Sequence, residues 1–192
     1  MQTTALPLRG RLRVFCKDQT GNVAVEAIII VPILFWAFFA TFTIFDAYRQ
    51  HSINQKAAYT IGDLVSRQFE ALDPTFLNGT RELFEDLARS NGQSSVRITS
   101  VWYDEANDRY VREWSRSVGS KLAAGPTEVE SWNTRLPVMP NFEFITVVET
   151  WTPYAAPFDV GIIDHEIHNF IFTRPRYAPC ITWEDSDCGV GT

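Results

Sequence analysis

The sequence predicts an α+β fold in which one long N-terminal helix packs on a small antiparallel sheet. A largely apolar run covers Val23 to Phe45, a helical pattern continues from there to about Leu72, and period-two alternation appears beyond Ser95. The chain has 192 residues, of which 45% are hydrophobic and 14% aromatic, a composition typical of folded proteins. The length fits one domain with an N-terminal extension.

Charge is divided unevenly between the two ends of the chain. Residues 1–21 carry a net charge of +3, whereas the whole chain carries −6, which leaves −9 on the remainder. The acidic body lacks the clustered Lys and Arg that phosphate contacts require, so we expect no nucleic-acid partner. A basic head followed by an apolar run is typical of a protein that crosses a membrane with its basic end inside.

The apolar run from Val23 to Phe45 is long enough to cross a membrane. Its 23 residues would form a helix of roughly 34 Å, which exceeds a hydrocarbon core of about 30 Å. A core helix of a soluble protein seldom runs so long without a polar face, and the apolar region of a cleaved secretory signal is normally about 7–15 residues. We therefore predict a transmembrane helix over residues 22–45 and an α+β domain over residues 46–192.

Glu26 is the only charged residue in that run, and it lies five residues after Gly21. A carboxylate costs about 2.5–3.5 kcal/mol at mid-membrane and less near the interface, so its position calls for a partner. If the chain is cut after Gly21, Asn22 becomes a new N-terminus whose ammonium group can neutralise Glu26. Such a pair, within one helix or between packed neighbours, would fix the register of an assembly.

The stretch GNVAVEAIIIVPILF, preceded by a short basic leader, resembles a class III signal of the prepilin type. It is similar to that of the TadE-like pseudopilins of the tight-adherence (Flp, type IVb) pilus system, which carry a glycine, a short spacer, Val-Glu and an apolar run with an early proline. These features stand here at Gly21, Glu26 and Pro32, and the later stretch TVVETWTPYAAP resembles a strand of their soluble domain. The resemblance is most specific over residues 17–70. Flp pilins often have an aromatic residue directly after the glutamate, where this chain has Ala27.

The resemblance implies a pilin-like architecture and a non-enzymatic function. A membrane prepilin peptidase would cut between Gly21 and Asn22 on the cytoplasmic side and remove the leader 1–21. The mature protein would be a single-pass protein of the bacterial inner membrane with a periplasmic domain. It would take part in assembling Flp pili, and so in adhesion, with other pseudopilins, the Flp pilin or secretion-platform proteins. Glu26 would guide processing and helix packing, and Pro32 would remove one helical hydrogen bond and kink the span.

Two other functions are compatible with the residues. The first is an uncleaved, signal-anchored periplasmic binding or structural module with no pilus role, which an intact Met1 would indicate. The second is a membrane-anchored hydrolase whose site is formed by scattered residues. A deep pocket in which His165 and acidic groups converge would indicate the hydrolase.

Helical patterns continue beyond the span. A helical extension over residues 46–72 carries apolar residues at spacings of three and four, with Gly62 as a weak point in it. Asp73-Pro74 predicts a turn or a helix N-cap, and a second helix is expected from Thr80 to Ser90, stopped by Asn91-Gly92. The first pattern includes these apolar residues: Tyr48, Ile53, Ala57, Ile61, Leu64, Val65 and Phe69.

Period-two patterns predict four strands in the second half of the chain. The third is closed by Pro153, and a short helix and loop occupy residues 119–136 between the second and third. The predicted strands cover Val96–Trp102, Arg109–Trp114, Phe142–Val148 and Ile167–Thr173.

Cysteine usage fits the proposed topology. Cys16 falls in the leader, whereas Cys180 and Cys188 would be periplasmic, a compartment that favours disulfides. We expect a bridge between them that stabilises the fold by roughly 2–3 kcal/mol in the chain-entropy model, with a pair of free thiols as the alternative.

Catalytic and metal-binding motifs are not evident. The segment Asp164–His168 is one residue short of the H-E-x-x-H zinc spacing, and in an extended chain His165 and His168 point to opposite faces. No G-x-S-x-G, P-loop or Rossmann fingerprint occurs. We expect no catalytic residue, no metal and no cofactor.

Overall fold

The computed structural model describes residues 22–161, 164–184 and 188–189, with side chains from residue 24 onward. The leader 1–21, including Gly21 and Cys16, lies outside these residues, so its predicted processing is not addressed by the fold. The helices are α1 (Asn22–Ser66), α2 (Pro74–Ala88) and α3 (Pro126–Glu130), the last followed by a 3-10 turn at Ser131–Thr134. The strands are β1 (Ser95–Asp104), β2 (Arg109–Val118), β3 (Phe144–Tyr154) and β4 (His165–Thr173).

The α+β prediction is confirmed, because α1 packs on a four-stranded antiparallel sheet of order β2-β1-β3-β4. Apolar residues of α1, α2 and one sheet face form a first core, which includes Ile61, Phe84 and Ile98. The opposite sheet face forms a second core under α3 and the 3-10 turn, which includes Tyr103 and Trp132. The sheet is therefore covered on both faces, as its largely buried strands require.

Helix α1 runs unbroken for 45 residues, roughly 67 Å, with Pro32 inside it. Beyond Asp46 it buries Ala57, Ile61 and Val65 against the sheet. The predicted apolar face is wrong at its two ends, because Tyr48 and Phe69 are each 74% exposed. Tyr48 lies nine residues before Ala57, which at about 100° per residue puts it on the opposite side of α1, and Phe69 lies beyond the end of α1 at Ser66.

The predicted end of α1 near Leu72 is also wrong, because the helix ends at Ser66. The carbonyl of Ser66 accepts a hydrogen bond from the Arg176 amide at 2.8 Å. Leu72 donates its amide to the Thr182 carbonyl and accepts the Glu184 amide, at 2.9 and 2.7 Å. The C-terminal tail thus supplies the backbone bonds that a longer helix would have made internally.

Asp73 is a helix N-cap, with its carboxylate accepting the Phe76 amide at 2.6 Å and Pro74 at the first helical position. Helix α2 therefore begins six residues before the predicted Thr80. It ends at Ala88 rather than Ser90, because Arg89 adopts the left-handed conformation that closes a helix, with φ 55°.

All four predicted strands exist, although their bounds differ. β3 begins at Phe144 rather than Phe142, because Phe142 has φ 60° and lies in the preceding turn. Pro153 lies inside β3 instead of closing it. The pairing of β3 with β1 ends at Trp151, so at Pro153 only β4 is paired with β3. A proline is tolerated there because one side of the strand has no neighbour that needs its amide.

The C-terminal tail is tied to the domain. Cys180 and Cys188 are joined by a disulfide with a Cα–Cα distance of 6.2 Å. Ile181 and Trp183 belong to the first core, and the indole of Trp114 donates a hydrogen bond to the Ile181 carbonyl at 2.8 Å. The bridge therefore ties Cys188 to a stretch, residues 180–183, that packs against the sheet.

Candidate functional site

The apolar half of α1, residues 24–45, projects from the folded domain. In its most apolar 18-residue window only 6% of the residues are buried, so it is not a core helix of the described domain. Among the described residues it is the one helix long and apolar enough to span a membrane. Its exposed apolar side chains include Ile28, Ile33, Phe35, Trp36 and Phe38.

Glu26 lies one helical turn after Asn22, and its side chain is exposed in the single chain. At 1.5 Å per residue it stands about 6 Å along the axis from Asn22. Pro32 follows six residues later, and the helix continues on both sides of it. The structure therefore places Glu26 and Pro32 on the projecting half, far along the chain from the Cys180–Cys188 bridge.

The two threonines of the apolar half satisfy their hydroxyls locally. Thr41 donates to the Ala37 carbonyl and Thr43 to the Phe39 carbonyl, both at 2.8 Å. If this half lies in lipid, such bonds remove the cost of a free hydroxyl in a region without water. The apolar half therefore presents apolar groups and one carboxylate at its surface.

The domain also contacts the last residues of the apolar half, which ends just before Asp46. Thr43 is fully buried, and the ring of Phe158 lies 4.7 Å from that of Phe39 and 5.9 Å from that of Phe42. Phe158 belongs to the loop between β3 and β4. The junction between helix and domain is therefore partly aromatic.

A polar contact lies directly above that aromatic junction. Tyr154, the last residue of β3, donates its hydroxyl to the Asp46 carboxylate at 3.1 Å. Burial, and then the bond to Asp46, raise the pKa of Tyr154 from 10.0 to about 12. The phenol therefore stays protonated and keeps donating at physiological pH.

A cleft of about 570 Å³ opens beside this contact, between α1, the turn after α2 and the start of β4. Asn54 lines it and is 1% exposed, and its side-chain oxygen has no hydrogen-bond partner within the described protein. The cleft is also lined by His165 and by the acidic residues Asp46, Asp164 and Glu166, the residue types that the hydrolase alternative would use. Two of them already accept hydrogen bonds, Asp46 from Tyr154 and Asp164 from the Ala156 amide.

A second polar cluster, which the sequence analysis missed, lies on the sheet face opposite α1. Arg97 donates its Nε to Glu149 at 2.7 Å and also pairs with Glu128, while the Glu149 carboxylate lies 3.2 Å from His168 Nε2. The imidazole of His168 stacks on Trp151 at 4.8 Å. The available signal was a single charge within each apolar strand pattern, at Arg97 in SVRITSVW and Glu149 in VVETW.

His165 and His168 are separated as their spacing in a strand predicts. His165 lines the cleft on the α1 side, whereas His168 contacts Glu149 on the opposite face. No group of three or more His, Cys, Asp or Glu residues suited to a metal ion is found among the residues that the structure describes.

No protein-family model matches this chain, and neither curated proteins nor solved structures provide a match. The features of this chain that bear on its function are the exposed apolar half of α1, Glu26 within it, and the domain that α1 carries.

Proposed function

We propose that the chain is a TadE-like minor pseudopilin, held in the bacterial inner membrane by α1 and taking part in the assembly of Flp-type pili. Its leader, residues 1–21, lies in the cytoplasm and is removed by a prepilin peptidase that cuts between Gly21 and Asn22. Its domain lies in the periplasm and contacts other pseudopilins, the Flp pilin or the secretion platform.

The observation that carries this proposal is the division of one continuous helix into two halves. The half before Asp46 exposes its apolar side chains, and the half after it packs on the sheet. A helix of this kind can stay in lipid while it holds a domain outside, and its exposed half can also pack against neighbouring copies. The resemblance of residues 17–70 to a prepilin-type signal supports the same conclusion.

Glu26 is the residue to which the proposal assigns a chemical role. Glu26 lies about 6 Å along the helix axis from Asn22, where cleavage would create an amine close to the membrane interface. An ammonium group on the same or a neighbouring helix would offset the cost of burying that charge. The pair would therefore favour one register between helices over others.

The first test is the mature N-terminus of the full chain, expressed with and without a prepilin peptidase. Intact-mass spectrometry should find a chain that starts at Asn22 only when the peptidase is present. Replacing Gly21→Leu should leave the leader attached, because a bulky side chain then occupies the cleavage position. An intact Met1 in cells that contain the peptidase would instead support an uncleaved anchored module.

The second test separates the charge of Glu26 from its size. Glu26→Leu and the nearly isosteric Glu26→Gln should both insert into the membrane and both abolish pilus assembly, because neither can pair with the new amine. Membrane fractionation measures insertion, mass spectrometry measures cleavage, and electron microscopy of cells measures pili. Normal piliation in Glu26→Gln would contradict the role assigned to the carboxylate.

A further inference from the structure

The loop between β3 and β4 reaches past the end of the soluble domain and onto the apolar half of α1. Phe158 packs on Phe39 and Phe42, with ring centroids 4.7 and 5.9 Å apart. Although it makes these two contacts, Phe158 remains 40% exposed. Its exposed part adjoins Phe42, which is itself 50% exposed, so the two rings belong to one continuous apolar surface of the kind that marks a membrane contact.

The length of α1 shows where this ring would lie in a bilayer. Counting from Asn22 at 1.5 Å per residue, Phe39 lies about 26 Å and Phe42 about 30 Å along the helix. A hydrocarbon core is about 30 Å thick. A ring seated between Phe39 and Phe42 therefore lies at the outer boundary of that core, the depth at which aromatic side chains are enriched.

The loop is held in this place by the domain. The Asp164 carboxylate accepts the Ala156 amide at 3.0 Å, which ties the base of the loop to the start of β4. The Val160 amide donates to the Phe158 carbonyl at 3.0 Å, which forms a tight turn at the tip. Tyr154 joins the start of the loop to Asp46 of α1. The aromatic tip is therefore presented by a fixed support.

We propose that residues 155–160 form a second membrane contact, in which Phe158 inserts into the outer lipid interface beside α1. This inference rests on the proposed membrane span of α1. The partner is the lipid surface itself, and the contact fixes how the domain sits above the membrane. A single helix would leave the domain free to tilt, whereas two contacts restrict its orientation.

The test uses single-cysteine probes in the full chain, reconstituted in phosphatidylethanolamine–phosphatidylglycerol vesicles, in a Cys16→Ser background with the native disulfide intact. An environment-sensitive fluorophore is placed at Phe158→Cys. Ile33→Cys, inside the span, and Val138→Cys, 86% exposed, are matched controls. Val138 follows Pro137, whose carbonyl accepts the Tyr110 hydroxyl at the far end of the sheet.

Lipid-borne nitroxides at two depths and iodide in the water report the position of each probe. We expect shallow nitroxides to remove most of the signal at position 158, deep nitroxides to do so at position 33, and iodide alone to do so at position 138. If position 33 is quenched by lipid and position 158 behaves like position 138, the second contact is refuted while the span stands. If none is quenched by lipid, the membrane part of the proposed function fails with it.

A second probe is needed because Phe158→Cys removes the aromatic ring whose contact is being tested. Asp159→Cys labels the same loop at an exposed position and leaves Phe158 in place. Its probe should show the same shallow quenching, and replacing Phe158→Ser in that background should move the probe toward iodide access. Shallow quenching that is unchanged by Phe158→Ser would overturn the role given to the ring.

Discussion

Arg97 and Glu149 form a charge pair inside the sheet face opposite α1, where their side chains are 7% and 2% exposed. Two further groups share this pair, Glu128 on the Arg97 side and His168 on the Glu149 side. Taking such charges out of water costs several kcal/mol each, so the pair is stable only while both members remain. The cluster therefore joins β1, β3 and β4 through their side chains on this face.

Glu149→Ala should lower the free energy of unfolding by about 3 kcal/mol, because it removes the buried carboxylate and leaves the guanidinium with the Glu128 carboxylate and the Leu122 carbonyl. The double replacement Arg97→Met and Glu149→Leu should recover most of that loss, since neither buried charge of the pair remains and Glu128, 44% exposed, is solvated by water. Arg109→Ala, in the exposed pair with Glu130, is the matched control and should change stability by less than about 1 kcal/mol. Urea unfolding of the full chain in detergent measures all four proteins. An equal loss in the single and double variants would show that the pair is not what the fold depends on.

Gly62 of α1 packs closely against Ile171 of β4. The sequence suggested a weak point in the helix, but the structure gives the glycine a packing role. A Cβ at this position would lie 3.2 Å from Cγ2 of Ile171 in β4, tighter than an ordinary contact. The absent side chain therefore allows α1 to lie close on β4, and the entropic cost of glycine in a helix is offset by that contact.

Gly62→Val should lower the free energy of unfolding by about 1–3 kcal/mol, because the added methyls force α1 and β4 apart. Gly79 provides the control in α2, since a Cβ there meets nothing within 4 Å. Gly79→Ala should raise stability by about 0.4–1 kcal/mol through the lower entropy of the unfolded chain. Thermal and urea unfolding of both variants give the two signs. A stabilised Gly62→Val protein would mean that Ile171 yields without cost.

The type of each element, helix or strand, could be predicted from the local pattern of apolar residues. The residue at which an element ends could not be predicted where a distant segment supplies its backbone hydrogen bonds. The four strands were found because each alternates between a helix-side residue and one on the other face. The end of α1 was missed because Leu72 pairs with a tail more than one hundred residues later. The pairing of β1 with β2 contains a β-bulge, because Ser100 pairs with Trp114 and Val101 with Arg112. The sequence of neither strand carries a pattern that predicts this bulge.

The features of the candidate site also fall into two groups, those that could be predicted from the sequence and those that could not. Glu26, Pro32 and the apolar run are visible in one short stretch of sequence, because the features that suggest their function are adjacent. The junction of Phe158 with Phe39 and the bond from Tyr154 to Asp46 join segments more than one hundred residues apart. Neither has a local signal, so the way in which the domain sits on α1 could come only from the fold.

Tyr154→Phe should loosen the domain from α1 and lower the free energy of unfolding by about 0.5–1.5 kcal/mol at neutral pH. Burial, and then Asp46, raise the pKa of Tyr154 from 10.0 to about 12, so the folded state holds this proton more tightly than the unfolded state. The phenol's contribution is therefore complete below about pH 10 and is lost as the pH rises toward 12. Unfolding in urea at several pH values should show part of that decline missing in Tyr154→Phe, but not in Tyr59→Phe, a control whose side chain is 57% exposed. Identical pH profiles for the two variants would mean that Tyr154 does not couple the domain to its helix.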